Sequence, residues 1–299
     1  MSTQLATIEN RPVKGGRHRK EPPMVFIEPR KTPETPRTPR VTYPRVLRSE
    51  WIKLVSLRSA VITLLASAGV IVGVGLLAAG MSSGALSTPA DGGPPTAADP
   101  TGITLTGTNL AQLIIGALGV MLVTSEYTSG LIRLSMAAVP TRLPVLWAKV
   151  VVLAVTSFAL LAASVVITFL GAQAMLSAGG SPTASLGDPG VLRALIGAAA
   201  YMTGIGVLGI ALGILIRATA PAISILFGGV FLLPALISIL LPSSWSEVTK
   251  YLPSNAGASI MTVATDPDKL DALTGAGVFA IYVIVALGAA AWVLHHRDV

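Results

Sequence analysis

The run V-V-V-L-A-V-T-S-F-A-L-L-A-A-S-V-V-I-T-F-L, Val150 to Leu170, contains no Lys, Arg, Asp or Glu. Wound as a helix at 1.5 Å per residue, it matches the roughly 30 Å of a bilayer's hydrocarbon core. Five further runs have the same character: Ala60–Gly80, Ile103–Val123, Leu195–Ile216, Ala222–Leu241 and Leu273–Leu294. A charged residue at the centre of such a helix costs about 2.5–3.5 kcal/mol, so its exclusion from all six is a strong signal. Composition agrees, with 52% hydrophobic and 12% charged residues, where soluble chains carry about 25% charged. The sequence therefore predicts an all-α membrane protein with six transmembrane helices.

The charges lie between these runs, and their distribution sets the topology. The net charge is +7, and 13 of the 21 Lys and Arg fall in residues 1–58, ahead of the first run. A basic head leading into a span reads as a topology signal and a contact with the lipid bilayer, not as a nucleic-acid surface. With both termini cytoplasmic, 18 basic residues lie inside and only Arg193, Lys250 and Lys269 lie outside. Acids run the other way, with Asp91, Asp99, Asp188, Glu247, Asp266, Asp268 and Asp271 outside. The expected location is the cell inner (plasma) membrane, multi-pass. The first run is too long for a signal-peptide core and is expected to be retained. There is no cysteine, which excludes disulfides and thiolate chemistry.

Residues 1–42 are rich in Pro and basic residues and lack apolar periodicity, as expected of a disordered cytoplasmic tail. Its Thr-Pro steps at Thr32, Thr35 and Thr38 are candidate phosphorylation sites. Residues 43–58 change character. Val46, Leu47, Trp51, Leu54, Val55 and Leu57 fall broadly on one helical face, with Arg45, Arg48, Lys53 and Arg58 mainly off it. That predicts an amphipathic interfacial helix, in which Arg48, Glu50, Trp51 and Lys53 meet the headgroup layer. Residues 59–299 form the six-helix domain. Its first outer loop, Met81 to Gly102, is expected to be irregular, and its last, Pro242 to Asp271, to hold one or two short helices.

Inside the spans polar groups are few. Asn109 and Gln112 share a face of the second span and, with Ser224 in the fifth, are the candidates for lining a cavity. Without an intramembrane charge, transport driven by an intramembrane carboxylate is disfavoured. Gly69 with Gly73, and Gly209 with Gly213, are spaced to let helices approach closely. No G-x-x-x-x-G-K-[ST] loop occurs, so the chain has no such route to ATP. His295 and His296 are neighbours on different helix faces, and no metal site is expected.

The remaining charged segment is S-E-Y-T-S-G-L-I-R-L-S-M-A-A-V-P-T-R-L-P-V-L-W-A-K, Ser125 to Lys149. Glu126 and Arg133 are two helical turns apart on nearly the same face, and Gly130 between them leaves room for close approach. Pro140 stops the helix, and Arg142 and Pro144 lead into the third span. The segment is either a partner-binding element or an inner loop that only satisfies topology.

At these residues the sequence resembles the permease subunits of ABC-2 type transporters, particularly the actinobacterial ones. The resemblance rests on Glu126, Gly130, Arg133, Pro140, Arg142 and Lys149, on the Arg48–Ser59 head and on Y-L-P-S-N-A-G, Tyr251 to Gly257. It covers residues from about 43 to the end, and the long Pro-rich head departs from it. It implies an ABC-2 (type V exporter-like) fold, and a dimer with a second permease, identical or paralogous. It implies two copies of a separate ATP-binding subunit, which would hold ATP and Mg and perform the hydrolysis. The chain itself would be no enzyme and bind no cofactor. Glu126, Gly130, Arg133, Pro140 and Arg142 would form the ATPase-coupling element, and the cargo would be an amphiphilic or hydrophobic compound moving outward. The alternative is a membrane scaffold or sensor that recruits a soluble partner through its basic tail.

Overall fold

The computed structural model describes residues 42–84, 99–130, 143–240, 246–263 and 269–296, and no strand occurs among them. The Pro-rich tail to residue 41 and the coupling candidates Arg133, Pro140 and Arg142 lie outside the described residues. Among the described residues six helices are long and apolar enough to cross a membrane: Arg58–Ser82, Pro100–Thr128, Leu143–Ala178, Val191–Ile216, Thr219–Ile237 and Ala272–His296. Large apolar side chains point outward from them, including Ile62, Leu65, Leu232 and Ile284. In water that surface would be a large penalty; in hydrocarbon it is the favourable face.

Helix α1 (Tyr43–Ser56) starts with Pro44 in its first turn and ends at Leu57, whose extended backbone (φ −75°, ψ 97°) separates it from α2 (Arg58–Ser82). One residue thus turns the chain from a surface helix into a span. The short α3 (Pro100–Thr104) is capped by the Asp99 side chain, which accepts from Thr101 N at 3.0 Å. A 3₁₀ turn, Leu105–Gly107, joins it to α4 (Thr108–Thr128). Helix α5 (Leu143–Ala178) follows, then α6 (Val191–Ile216). The fifth span is broken: α7 (Thr219–Phe227) passes through a π-helical turn, Gly228–Leu232, into α8 (Leu233–Leu240). Two short helices, α9 (Ser246–Thr249) and α10 (Pro253–Met261), precede α11 (Ala272–His296).

Two spans extend past their charge-free runs to take in charged residues that pair with each other. The second run ends at Val123, but α4 continues to Thr128 and carries Glu126 on the helix itself. The third begins at Val150, but α5 starts at Leu143 and includes Lys149, because Val145 and Leu146 are apolar, buried and packed with the bundle. A hydrophobicity count stops at the first charge; backbone hydrogen bonding does not when that charge finds a partner.

Helix α6 is the centre of the bundle, with 72% of its most apolar stretch buried against 22% for the broken fifth span. Its closest neighbour is α4, and glycines decide that approach. A Cβ on Gly119 would overlap the carbonyl oxygen of Gly206, and one on Gly209 would overlap that of Gly116. Gly213 packs on the same partner, with Val120 O 3.1 Å from where its Cβ would stand. The Gly209–Gly213 spacing therefore marks a real contact. Gly69 and Gly73 differ: both are exposed, and a Cβ on either would meet nothing within 4 Å. On α2 it is Gly75 that is buried, against Thr104 and Thr168.

At the end of the bundle remote from α1, α10 packs inward. Gly257 lies on the Tyr201 ring, Ile260 on Gly197 and Ser259 on Gly275. Arg193 donates to the carbonyls of Ile260 (3.3 Å) and Thr262 (2.9 Å), which satisfies the last turn of α10. Tyr201 also meets Phe279 of α11, ring centres 4.9 Å apart. Gln173 of α5 accepts from Ala184 N at 2.8 Å and donates to Pro100 O at 3.3 Å, tying two connections together.

Candidate functional site: a buried ion cluster beneath the surface helix

The site begins with the register of α1. Residues 46, 50 and 54 are four apart and fall on one helical face, and Val46, Glu50 and Leu54 are the buried residues of α1. A carboxylate thus sits in the middle of an apolar stripe. The sequence predicts Glu50 at the headgroup layer with Arg48, Trp51 and Lys53, but its side chain is only 4% exposed. Trp51 and Arg48 do face outward.

A buried carboxylate is tolerable only with opposite charge beside it. Lys149, on the second turn of α5, donates to Glu50 Oε2 at 2.8 Å and to Glu126 Oε1 at 2.8 Å. Lys53, one turn along α1, donates to Glu50 Oε1 at 2.6 Å and to Glu126 Oε1 at 3.3 Å. Two carboxylates and two ammonium groups thus alternate in a closed neutral ring joining α1, α4 and α5. Lys149 and Glu126 are each 11% exposed, whereas Lys53 is 39% exposed and forms the open side.

Burial pushes the Glu50 carboxyl up, but Lys149 and then Lys53 outweigh it and hold its pKa below the usual carboxylate range. For Lys53, burial pulls down, yet its hydrogen bond to Glu50 and the charges of Glu126 and Glu50 raise it above an ordinary lysine. The signs fix the pH window. The Glu50 contribution is full above the unfolded carboxylate value, about 4.3, and disappears as pH falls through the lower folded value. The Lys53 contribution is full below about 10.4 and disappears as pH rises through the higher folded value. Thermal unfolding of the purified protein should therefore show an acid-side loss of stability below about pH 4.3 that Glu50→Gln flattens. An unchanged acid limb in that variant would separate the ring from the pH response.

The end of α4 is held on its other side too. Arg217, at the turn from α6 to α7 with left-handed φ of 59°, lies over the Tyr127 ring with its guanidinium carbon 5.4 Å from the centroid. Thr219 donates to Thr124 Oγ1 at 2.8 Å. Glu126 and Tyr127, adjacent in sequence, thus tie α4 to α1 and α5 on one side and to α6–α7 on the other. Just beyond, Gly130 ends the described helix with φ of 71°, a left-handed conformation that a Cβ would strain.

The predicted site residues are therefore brought together only in part. Glu126 is joined to Glu50 and Lys53, although the sequence assigns the first to the coupling element and the other two to the interfacial helix, and Lys149 between them belongs to the resembling motif. Glu126 is expected in the coupling element, and its carboxylate accepts from two lysines of its own chain. Of the cavity candidates, Asn109 is exposed and donates to Thr106 O at 3.3 Å, while Gln112 donates to Asn109 O at 3.1 Å. Ser224 is exposed on α7. None of the three lines the cavity of about 290 Å³ beside the ring, whose walls are Leu54, Leu57, Leu122, Val152 and Leu153. The signal for the ring was available: an acid at the centre of the Val46–Leu54 stripe needs a buried cation.

Searched against models of known protein families the sequence matches none, and no curated protein matches it.

Proposed function

We propose that the chain is the membrane-spanning permease subunit of an ABC-2 type transporter, coupled to a separate ATP-binding subunit and exporting an amphiphilic or hydrophobic compound. One observation carries the proposal. The segment between α4 and α5, with Arg133 and Arg142, leaves one ion-paired helix end at Glu126 and re-enters another at Lys149. A push on that segment by a soluble partner would reach α1, α4 and α5 together through the ring, and α6–α7 through Tyr127 and Arg217. Such a rigid relay suits a machine in which closure of the ATP-binding subunits re-packs the spans. It assigns Glu126 an anchoring role and leaves docking to Arg133 and Arg142. The six apolar helices and the order of the three resembling motifs support the same function. Under the proposed topology this end of the bundle is cytoplasmic, and the fold is of the ABC-2 kind.

The test is affinity purification of the tagged full chain from its native membrane in mild detergent. An ATP-binding subunit is expected to co-purify in equal amount, and to be lost when Arg133 and Arg142 are both changed to Ala. Purification of the chain without any nucleotide-binding partner would favour the scaffold alternative. In that case deleting residues 1–42 should abolish capture of whatever soluble protein is held.

A further inference from the structure

The cavity beside the ion ring is not closed. Leu57, Leu122 and Ser125 line it and also line a second, smaller hollow of about 50 Å³ in the seam between α2 and α4. That hollow reaches Leu118 and Met121. Ser125 and Leu118 are seven residues apart on α4, so the seam runs about 10 Å along the helix away from the charges. One end is ionic and the other mainly apolar, and the two adjoin across the residues they share.

Two carboxylates and two lysines line the cavity, but the exposed charges nearby are of one sign. The carboxylates of Glu50 and Glu126 lie at the back, 4% and 11% exposed and engaged by Lys149. Lys53, which lines the cavity, is 39% exposed, and Arg58, exposed at the first residue of α2, stands in sequence between the lining residues Leu57 and Ser59. The exposed hydroxyl-bearing Ser125 and Ser129 also line the cavity. The seam opens outward beside Leu57 and Met121, which are 40% and 45% exposed and stand where α1 meets the spans. In a bilayer that is the level where headgroup gives way to acyl chain.

We propose that this cavity and seam bind one anionic phospholipid, its phosphate at Lys53 and Arg58 and the first part of one acyl chain between α2 and α4. Charge complementarity selects the headgroup, because Lys53 is the exposed member of the ring, Arg58 next to the lining residue Leu57 is exposed, and both carboxylates are nearly buried and already paired with lysines. Position selects a lipid over a soluble anion, since the apolar seam opens along the membrane-facing side. A bound lipid would brace the ring on its open edge, where Lys53 is the least covered member.

The test uses the full chain in detergent and native mass spectrometry, with dioleoyl phosphatidylglycerol, dioleoyl phosphatidylcholine and glycerol 3-phosphate as probes. Each cation near a phosphate contributes about fivefold in binding. Phosphatidylglycerol should therefore be retained well above phosphatidylcholine, and Arg58→Gln, which leaves the ring intact, should lower its retention about fivefold. Ser125→Trp, filling both hollows, should abolish the preference; Met121→Trp, filling the seam alone from an exposed position, should weaken it if the first variant fails to fold. Glycerol 3-phosphate should not compete. Equal retention of the two lipids, or full retention in the folded Trp variants, would overturn the proposal. Competition by glycerol 3-phosphate would also overturn it, making this an anion site with no role for the seam. None of these outcomes depends on whether an ATP-binding subunit co-purifies.

Discussion

Lys149→Ala is expected to cost about 3–5 kcal/mol of stability, enough to leave little folded protein in detergent. Lys149 is the ring's one link between the carboxylates of α1 and α4 that is itself buried, at 2.8 Å from each. Removing it leaves Glu50, 4% exposed, with Lys53 alone, and Glu126 with a single contact at 3.3 Å. The cost comes from uncompensated buried charge, not from the strength of the lost pair. It follows that neutralising the ring should recover what breaking it loses. The triple variant Glu50→Gln, Glu126→Gln and Lys149→Met should regain most of the stability, because apolar or neutral replacements of a buried ion set are often nearly neutral. Thermal unfolding of the three proteins in one detergent checks both parts. If Lys149→Ala unfolds at the wild-type temperature, the ring is not structural.

Gly119→Val should be comparably severe, at the upper end of the 1–3 kcal/mol typical of overpacking or somewhat beyond it. The atom that an added Cβ would strike is the Gly206 carbonyl oxygen, part of the backbone of the most buried helix. A flexible side chain could swing aside; a helix backbone cannot without separating α4 from α6. Gly69→Val supplies the control, because Gly69 is exposed and a Cβ there meets nothing within 4 Å. Folded yield by size-exclusion chromatography should collapse for the first and hold for the second. Equal yields would mean that α4 and α6 are not held at this distance.

The spans were legible because their signal is additive: some twenty apolar residues in a row leave no competing interpretation. The ring was not, although every residue in it was in view. Glu50 and Lys149 are 99 positions apart, and the pairing depends on how α1 lies against α5, which no local pattern encodes. The glycine spacings show the same limit. Gly209–Gly213 and Gly69–Gly73 are identical as patterns, yet only the first faces a neighbour. Polar residues show a related limit. Asn109 and Gln112 each donate to a backbone carbonyl three residues back, and sharing a face does not bring them to the cavity beside the ring.

The most direct measurement of the central claim uses the absence of cysteine from the chain. Single cysteines placed at position 133, in the segment that follows α4 in the sequence, and at Asn109, in the first turn of α4, would be tested for crosslinking in native membranes. A crosslink from position 133 to an ATP-binding subunit, and none from position 109, is the predicted result. No such crosslink from position 133, or one from position 109 instead, would contradict the account.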